Sequence, residues 1–219
     1  MQFVLPFLLV LGGQFQPLVI PGESLTYDVS SARFGKMGKA RFSVTTLETG
    51  AVRLAFDFDA RVLLFKASDH TYSELEATSL RTLRYGKRER SPIGARDENV
   101  VIDHAASTWT DRGSVQRLAS SEALDELSFI YLIRNIELAV GEERVFTRHF
   151  DHARNPVKIR AVSFTDDVEV IEMSVPDKRQ KSGFSVLRFH VSRDPRRIPL
   201  RIESSMPVAG KVTMTFVAS

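Results

Sequence analysis

The sequence predicts a mainly β fold: a curved antiparallel sheet forming an open barrel or sandwich of about ten strands, with one packed α-helix near 121–135. Three observations carry that prediction. Apolar and polar residues alternate with period two along many short segments, the pattern of strands with one buried face. Turn residues, chiefly Gly and Pro, punctuate those segments. One stretch alone, 121–135, switches to helical spacing.

At the N-terminus an apolar run from Phe3 to Leu11, interrupted by Pro6, ends at Gly12 and Gly13. The run is too short to cross a bilayer as a helix, and a short apolar stretch closed by small residues is the pattern of a secretory signal. Residues 1–13 are therefore read as a signal peptide cleaved near Gly13, and 14–219 as a single β-rich domain. A signal usually opens with positive charge, and no Lys or Arg precedes this run, so an N-terminal apolar strand of a cytosolic protein is the competing reading. No later run approaches the ~18 apolar residues of a membrane helix, so the mature chain is expected to be soluble.

Pro21-Gly22-Glu23 reads as a turn, after which Leu25, Tyr27 and Val29 alternate with polar residues. The same alternation returns in Ala40, Phe42 and Val44 and in Leu54, Phe56, Phe58 and Ala60, with Thr49-Gly50 between them. Lys39 to Ala60 is therefore expected to be a hairpin, Gly50 supplying the positive φ of its connection. Further strands are expected at Ser73 to Ala77, Leu83 to Lys87, Val100 to Asp103, Arg144 to Phe150, Val157 to Phe164, Val168 to Val175, Phe184 to Val191, Leu200 to Ile202 and Lys211 to Phe216. Within Val168 to Val175 the apolar phase slips by one residue, which predicts a β-bulge or a residue buried on both faces. Ser91-Pro92-Ile93-Gly94, flanked by the basic Lys87-Arg88-Glu89-Arg90, is the best candidate for a long, mobile connection.

In the helix, Leu124, Leu127, Ile130, Tyr131 and Arg134 share a face, and Ser121 is a plausible N-cap. Glu122, Asp125 and Glu126 place negative charge at the positive end of its dipole. Phe129 to Ile133 is apolar all round and should be buried against the sheet.

With 43% hydrophobic and 26% charged residues the chain can bury a core and is not disordered. Thirty Lys and Arg against 27 Asp and Glu leave a formal charge of +3, scattered rather than clustered, so no nucleic-acid partner is expected. The absence of Cys excludes disulfides, thiolate metal sites and cysteine nucleophiles.

No catalytic residue, metal ligand set or cofactor is assigned, and binding residues are left open. The sharpest cluster is His149-Phe150-Asp151-His152, with His104 and His70 elsewhere; imidazole and carboxylate bind first-row metals, but no third ligand follows from spacing, and a solvated strand end is favoured. No Gly-x-Ser-x-Gly elbow is present. Gly35-Lys36-Met37-Gly38-Lys39 lacks phosphate-loop spacing and reads as a turn or bulge before the strand Lys39 to Thr45. Arg193-Asp194-Pro195-Arg196-Arg197 has the chemistry to contact phosphate, yet Pro195 and Pro199 favour a solvated turn between strands. The 15 Phe are explained by core packing, though a Phe-lined barrel mouth would also suit an apolar ligand.

Four stretches taken together, PGESLTYDVS, LDELSFIYLIR, LAVGEERVF and VSRDPRRIPLRIE, resemble the exported bacterial family called domain of unknown function 3108, from about Gly22 to Phe216. The residues that carry the resemblance are Gly22, Glu23, Leu25 and Tyr27; then Leu127, Ser128, Phe129, Tyr131, Leu132 and Arg134, with Ile133 inserted before the arginine; then Ser192, Asp194, Arg197 and Pro199. The resemblance implies a β protein of the cell envelope and no established reaction. The uncharged leader and the His-rich stretch after Phe146 depart from the family pattern.

The function expected from these readings is non-enzymatic: an exported, periplasmic or envelope protein whose curved sheet holds a lipid or another apolar molecule. The alternative is a structural scaffold docking an envelope partner protein through a sheet edge or the turn 193–197, and a metal-dependent hydrolase around His149, Asp151 and His152 ranks last.

Overall fold

The structure, a computed structural model, describes residues 19–62, 65–76, 78–91, 94–178, 180, 182–206 and 209–218. The expected signal peptide, residues 1–13, lies outside them. Among these residues fourteen strands form one antiparallel sheet: β1 (Ser24–Ser31), β2 (Gly35–Thr46), β3 (Val52–Val62), β4 (Phe65–Leu75), β5 (Thr82–Ser91), β6 (Gly94–Asp103), β7 (Thr108–Asp111), β8 (Ser114–Arg117), β9 (Glu143–Phe146), β10 (Val157–Phe164), β11 (Val168–Pro176), β12 (Phe184–Ser192), β13 (Pro199–Met206) and β14 (Gly210–Ala218). Among the described residues a single α-helix, α1 (Glu126–Asn135), lies between β8 and β9.

The order across the sheet is β8 to β1, then β14 down to β9, so the sheet stays open between β8 and β9, and the chain between those two edges carries α1. Both edge strands are four residues long and bear charge, Arg117 on one, Glu143 and Arg144 on the other. Short, charged edges resist pairing with another chain. Register shifts in five of the pairings mark bulges, which sharpen the twist and let so many strands curl.

The expected open, curved antiparallel sheet with one helix is what forms, with more strands than the expected ten. The addition least visible in sequence is the hairpin β7–β8, whose turn places Arg112 and Gly113 at φ 47° and 83°. Strand β8 is exposed at every residue, so it lacks the alternation by which the others were legible. The Ser91–Gly94 segment is not a long connection: Ser91 pairs with Gly94, and basic Lys87 to Arg90 lies within β5. Pro92 and Ile93 fall outside the described residues. The Gly35–Lys39 segment belongs to β2, with the extra residue Met37 opposite the Val29–Ser30 step, which is the expected bulge.

The helix begins at Glu126 rather than near Ser121, because Asp125 is the N-cap. Its carboxylate accepts from the Leu127 and Ser128 amides at 2.8 and 3.0 Å, while Ser128 Oγ accepts from the Asp125 amide at 2.7 Å, a reciprocal cap. Ser73 Oγ of β4 and Thr82 Oγ1 of β5 donate to the other carboxylate oxygen, so the cap also ties the helix to the sheet.

The inner face packs around α1. Leu25, Tyr27 and Val29 of β1, Leu54 of β3, Ile159 and Ala161 of β10, Ile171 and Met173 of β11 and Phe189 of β12 form one core with Leu127, Phe129, Tyr131 and Ile133. A satellite core joins Tyr85, Val100 and Trp109 to Phe150, with the Trp109 and Phe150 rings 5.2 Å apart, edge to face. On the outer face, neighbouring strands set opposite charges side by side. In one row across β2 to β6, Arg41 faces Asp57 and Arg88 faces Asp97, with His70 between the two pairs. Glu143, Arg160, Glu172, Arg188 and Glu203 form another across β9 to β13.

Candidate functional site

The expected phase slip in β11 has a specific cause. Burial alternates without interruption from Val168 to Pro176, and the bulge is on the partner strand, where Val162 is the extra residue opposite the Val170–Ile171 step. What breaks the apolar phase is Glu169, which occupies an inward position and is 4% exposed. A carboxylate held there requires a partner.

That partner is Arg197, from the turn between β12 and β13. Asp194 Oδ1 accepts from the Arg196 amide at 2.8 Å, the Arg197 amide donates to the Asp194 carbonyl at 3.0 Å, and Ser192 and Ile198 bond across the neck of the turn at 2.8 Å. Arg197 sits at φ 46°, which turns its side chain back toward α1. Its guanidinium donates to Glu169 Oε2 at 2.7 Å, to the Arg134 carbonyl at 2.6 Å and to the Ile136 carbonyl at 3.2 Å. A cation thus closes the negative end of the helix and satisfies carbonyls with no intrahelical partner. The reading of Arg193–Arg197 as a solvated turn is therefore overturned for Arg197, which the sequence could not place beside the helix end. Arg193 stays at the surface, over the Phe164 ring and bonded to the Thr165 carbonyl.

The reciprocal residue is Arg134, in the last turn of α1. It donates from Nη1 to Glu23 Oε2 at 2.6 Å and from Nη2 to Glu23 Oε1 at 3.0 Å, with side chains 1% and 2% exposed. Its Nε reaches the Arg197 carbonyl at 3.2 Å and its Nη2 the Arg196 carbonyl at 2.8 Å. Burial works against the charge on Arg134, and the Glu23 carboxylate outweighs it, holding the arginine's pKa above its ordinary value. Tyr27 and Tyr131 flank the pair; burial raises both phenol pKa values, with Arg134 pulling the other way. Glu23, Tyr27, Tyr131, Arg134, Arg197 and Pro199, scattered over the sequence, thus meet at one place where β1, α1 and the β12–β13 turn join.

This centre fills rather than hollows the interior. The recess bounded by Leu25, Tyr27, Phe42, Ile130, Tyr131, Arg134 and Pro199 has a volume of about 10 Å³. A larger recess, about 320 Å³, lies on the outer face over β9 to β12, where Lys158, Arg160, Glu143 and Glu172 surround Phe184 and Val186.

The histidines singled out in the sequence lie in different surroundings. His149 is 1% exposed, accepts the Asp151 amide on Nδ1 at 3.1 Å, and lies parallel to the Phe129 ring at 6.3 Å. Burial, then Arg154 and Arg96, hold its pKa well below the usual imidazole value. The reading of His149 as part of a solvated strand end is thus corrected: β9 ends at Phe146, and the segment after it turns inward to bridge Leu124. Asp151 caps a short 3₁₀ turn, His152–Arg154, by accepting the Ala153 amide at 2.8 Å, and His152 is exposed. His104 Nε2 lies 2.7 Å from the Thr82 carbonyl, and His70 lies between Asp57 and Asp59 on the outer face. Among the described residues no three His, Asp or Glu side chains are grouped to hold a metal ion.

Comparison with known proteins agrees with this architecture. The chain is similar to a crystal structure of a β-barrel-like protein of domain of unknown function DUF1849 from Brucella abortus. The TM-score is 0.56 at 11% identity, covering 89% of this chain and 94% of that one, a likeness of fold alone. No curated protein matches the sequence. The family model described as "Protein of unknown function (DUF3108)" matches residues 26–217, and the chain belongs to that family.

Proposed function

We propose that the protein is an exported, non-enzymatic scaffold of the cell envelope that docks a partner protein. The observation that carries this reading is the filled interior: α1 and the Glu23–Arg134 pair stand where a carrier would place its ligand, and the inner recess measures about 10 Å³ against the 300 Å³ or more of ordinary ligand sites. Export rests on the signal-like residues 1–13. No helix among the described residues is long and apolar enough to cross a membrane. The blunted edges β8 and β9 disfavour docking by strand addition, and in the turn 193–197 Arg193 and Arg197 are engaged within the protein, so the outer recess over β9 to β12 is taken as the docking face. Its apolar patch, Phe184 and Val186, ringed by both signs of charge, suits a polypeptide that presents one apolar side chain between charged ones.

The test is a photo-crosslinking residue placed at Val186, with one at Val115 on β8 as the control, in cells of the source organism. A discrete protein adduct from Val186 and none from Val115 is expected. Native mass spectrometry of protein from the envelope fraction decides the rest: a stoichiometric lipid would overturn the docking reading in favour of a carrier.

A further inference from the structure

We propose that one end of the open sheet, marked by the facing cations Arg61 and Lys66, is a docking surface for an anionic lipid membrane. The proposal is independent of the protein-docking reading.

Antiparallel pairing brings the turns β1–β2, β3–β4, β5–β6, β11–β12 and β13–β14 to the same end of the sheet. Ser31 pairs with both Gly35 and Val212, Val62 with Phe65, Ser91 with Gly94, Pro176 with Phe184 and Met206 with Gly210. Within one residue of those turns stand Arg33, Lys36, Arg61, Lys66 and Lys178, and among the described residues there Asp177 is the one acid. Arg90 and Lys211 are also there, held by Asp97 and Glu203. The turns at the opposite end carry the reverse excess: Glu48, Glu76, Asp103, Asp166, Asp167 and Asp194 outnumber the arginines among them. Charge is thus divided between the two ends of the strands, although the chain as a whole is nearly balanced.

Arg61 of β3 and Lys66 of β4 lie directly opposite each other, both exposed. Like charges so placed repel, and among the described residues neither they nor Lys36 forms an ion pair. Cations set face to face in this way call for an anion from outside the chain. Apolar residues beside these cations favour a lipid surface over another polyanion. Met206 is 52% exposed. In sequence, outside the described residues, Leu63-Leu64 joins β3 to β4, Pro92-Ile93 joins β5 to β6, and Pro207-Val208 follows β13. Membrane affinity grows both with the apolar area offered and with cations at the level of the headgroups.

The test is co-sedimentation of the full chain with vesicles of phosphatidylglycerol and phosphatidylcholine, set against vesicles of phosphatidylcholine alone. Binding to the mixed vesicles is expected to be the tighter and to fade with salt. Arg61→Gln combined with Lys66→Gln should weaken it about 25-fold, roughly fivefold for each cation, while Arg84→Gln combined with Arg193→Gln leaves it unchanged. No preference for the mixed vesicles, equal losses from the two double variants, or soluble polyphosphate bound as tightly as the vesicles would overturn the proposal. A second readout keeps every native charge at the docking end. The chain has no Cys, so an environment-sensitive dye can be placed singly on Ala32→Cys at the proposed end or on Glu48→Cys at the other. The dye at 32 is expected to report an apolar environment when mixed vesicles are added and the dye at 48 to stay unchanged; a response at 48, or at neither, would overturn the proposal.

Discussion

Arg134, in the last turn of the only helix described, grips Glu23 at the entrance to β1 through two hydrogen bonds across 111 residues of sequence, both side chains sealed from solvent. The pair fixes where the helix ends relative to the sheet that surrounds it.

Breaking the pair on one side leaves a buried, unpaired charge. Glu23→Gln is expected to destabilise the protein by about 3–5 kcal/mol in urea unfolding. Glu23→Leu combined with Arg134→Met should recover part of that loss, the shortfall coming from the Arg196 and Arg197 carbonyls that lose their donor. A Glu23→Gln protein as stable as the native one would show that the pair does not hold the fold.

His149 makes stability depend on pH. Its folded pKa lies below the ordinary 6.5, chiefly because burial disfavours the imidazolium. The unfolded chain therefore binds more protons, so stability is fully present above pH 6.5 and falls as the pH drops toward the folded value, by at most about 1.4 kcal/mol per pH unit. His149→Phe is expected to be less stable at neutral pH, having lost the bond from the Asp151 amide, but flatter between pH 6.5 and 5. Parallel curves for the two proteins, from urea unfolding at several pH values, would sink the assignment.

Arg197 uses a planar fork that lysine cannot copy. Arg197→Lys is expected to cost about 2 kcal/mol and to speed hydrogen exchange at the end of α1, because Glu169 and the carbonyls of Arg134 and Ile136 share that one guanidinium. Unchanged exchange at the Asn135 and Ile136 amides would contradict a role in closing the helix.

Gly86 of β5 lies under the Tyr72 ring of β4, and a β-carbon there would come 2.1 Å from a ring carbon. Gly86→Ala must push the ring aside and disturb its stacking under Arg53, whose guanidinium carbon is 5.2 Å from the ring centre. A loss of about 1–3 kcal/mol is expected, removed in the background of Tyr72→Ala. A cost independent of Tyr72 would show that the backbone, not the ring, sets the requirement for glycine.

The parts of the fold legible in sequence are those whose burial is local and one-sided. Leu25, Tyr27 and Val29 announce β1 because every second residue enters the core, and Gly50 marks the β2–β3 turn by its φ of 81°. The helix start is not legible in the sequence because Ser121 and Asp125 are both good capping residues, and the sheet hydroxyls of Ser73 and Thr82 decide for Asp125. The candidate site was largely illegible, since no periodicity reports which turn meets which helix end. Its two local traces were Arg134 within an otherwise apolar helical stretch and the phase slip at Glu169, each a polar residue at a core position.

The pairing of β1 with β14 has a consequence for how the chain becomes a protein. Read across the sheet from one rim, the strands run β9 to β14 and then β1 to β8, so among the described residues the architecture is two meanders that meet at the β1–β14 pairing, with no turn connecting those two strands. Every other neighbouring pair can zip up soon after it is made, but Ser31 must wait for Val212. A chain released before Gly210 would be two partial sheets, each with a bare and sticky rim.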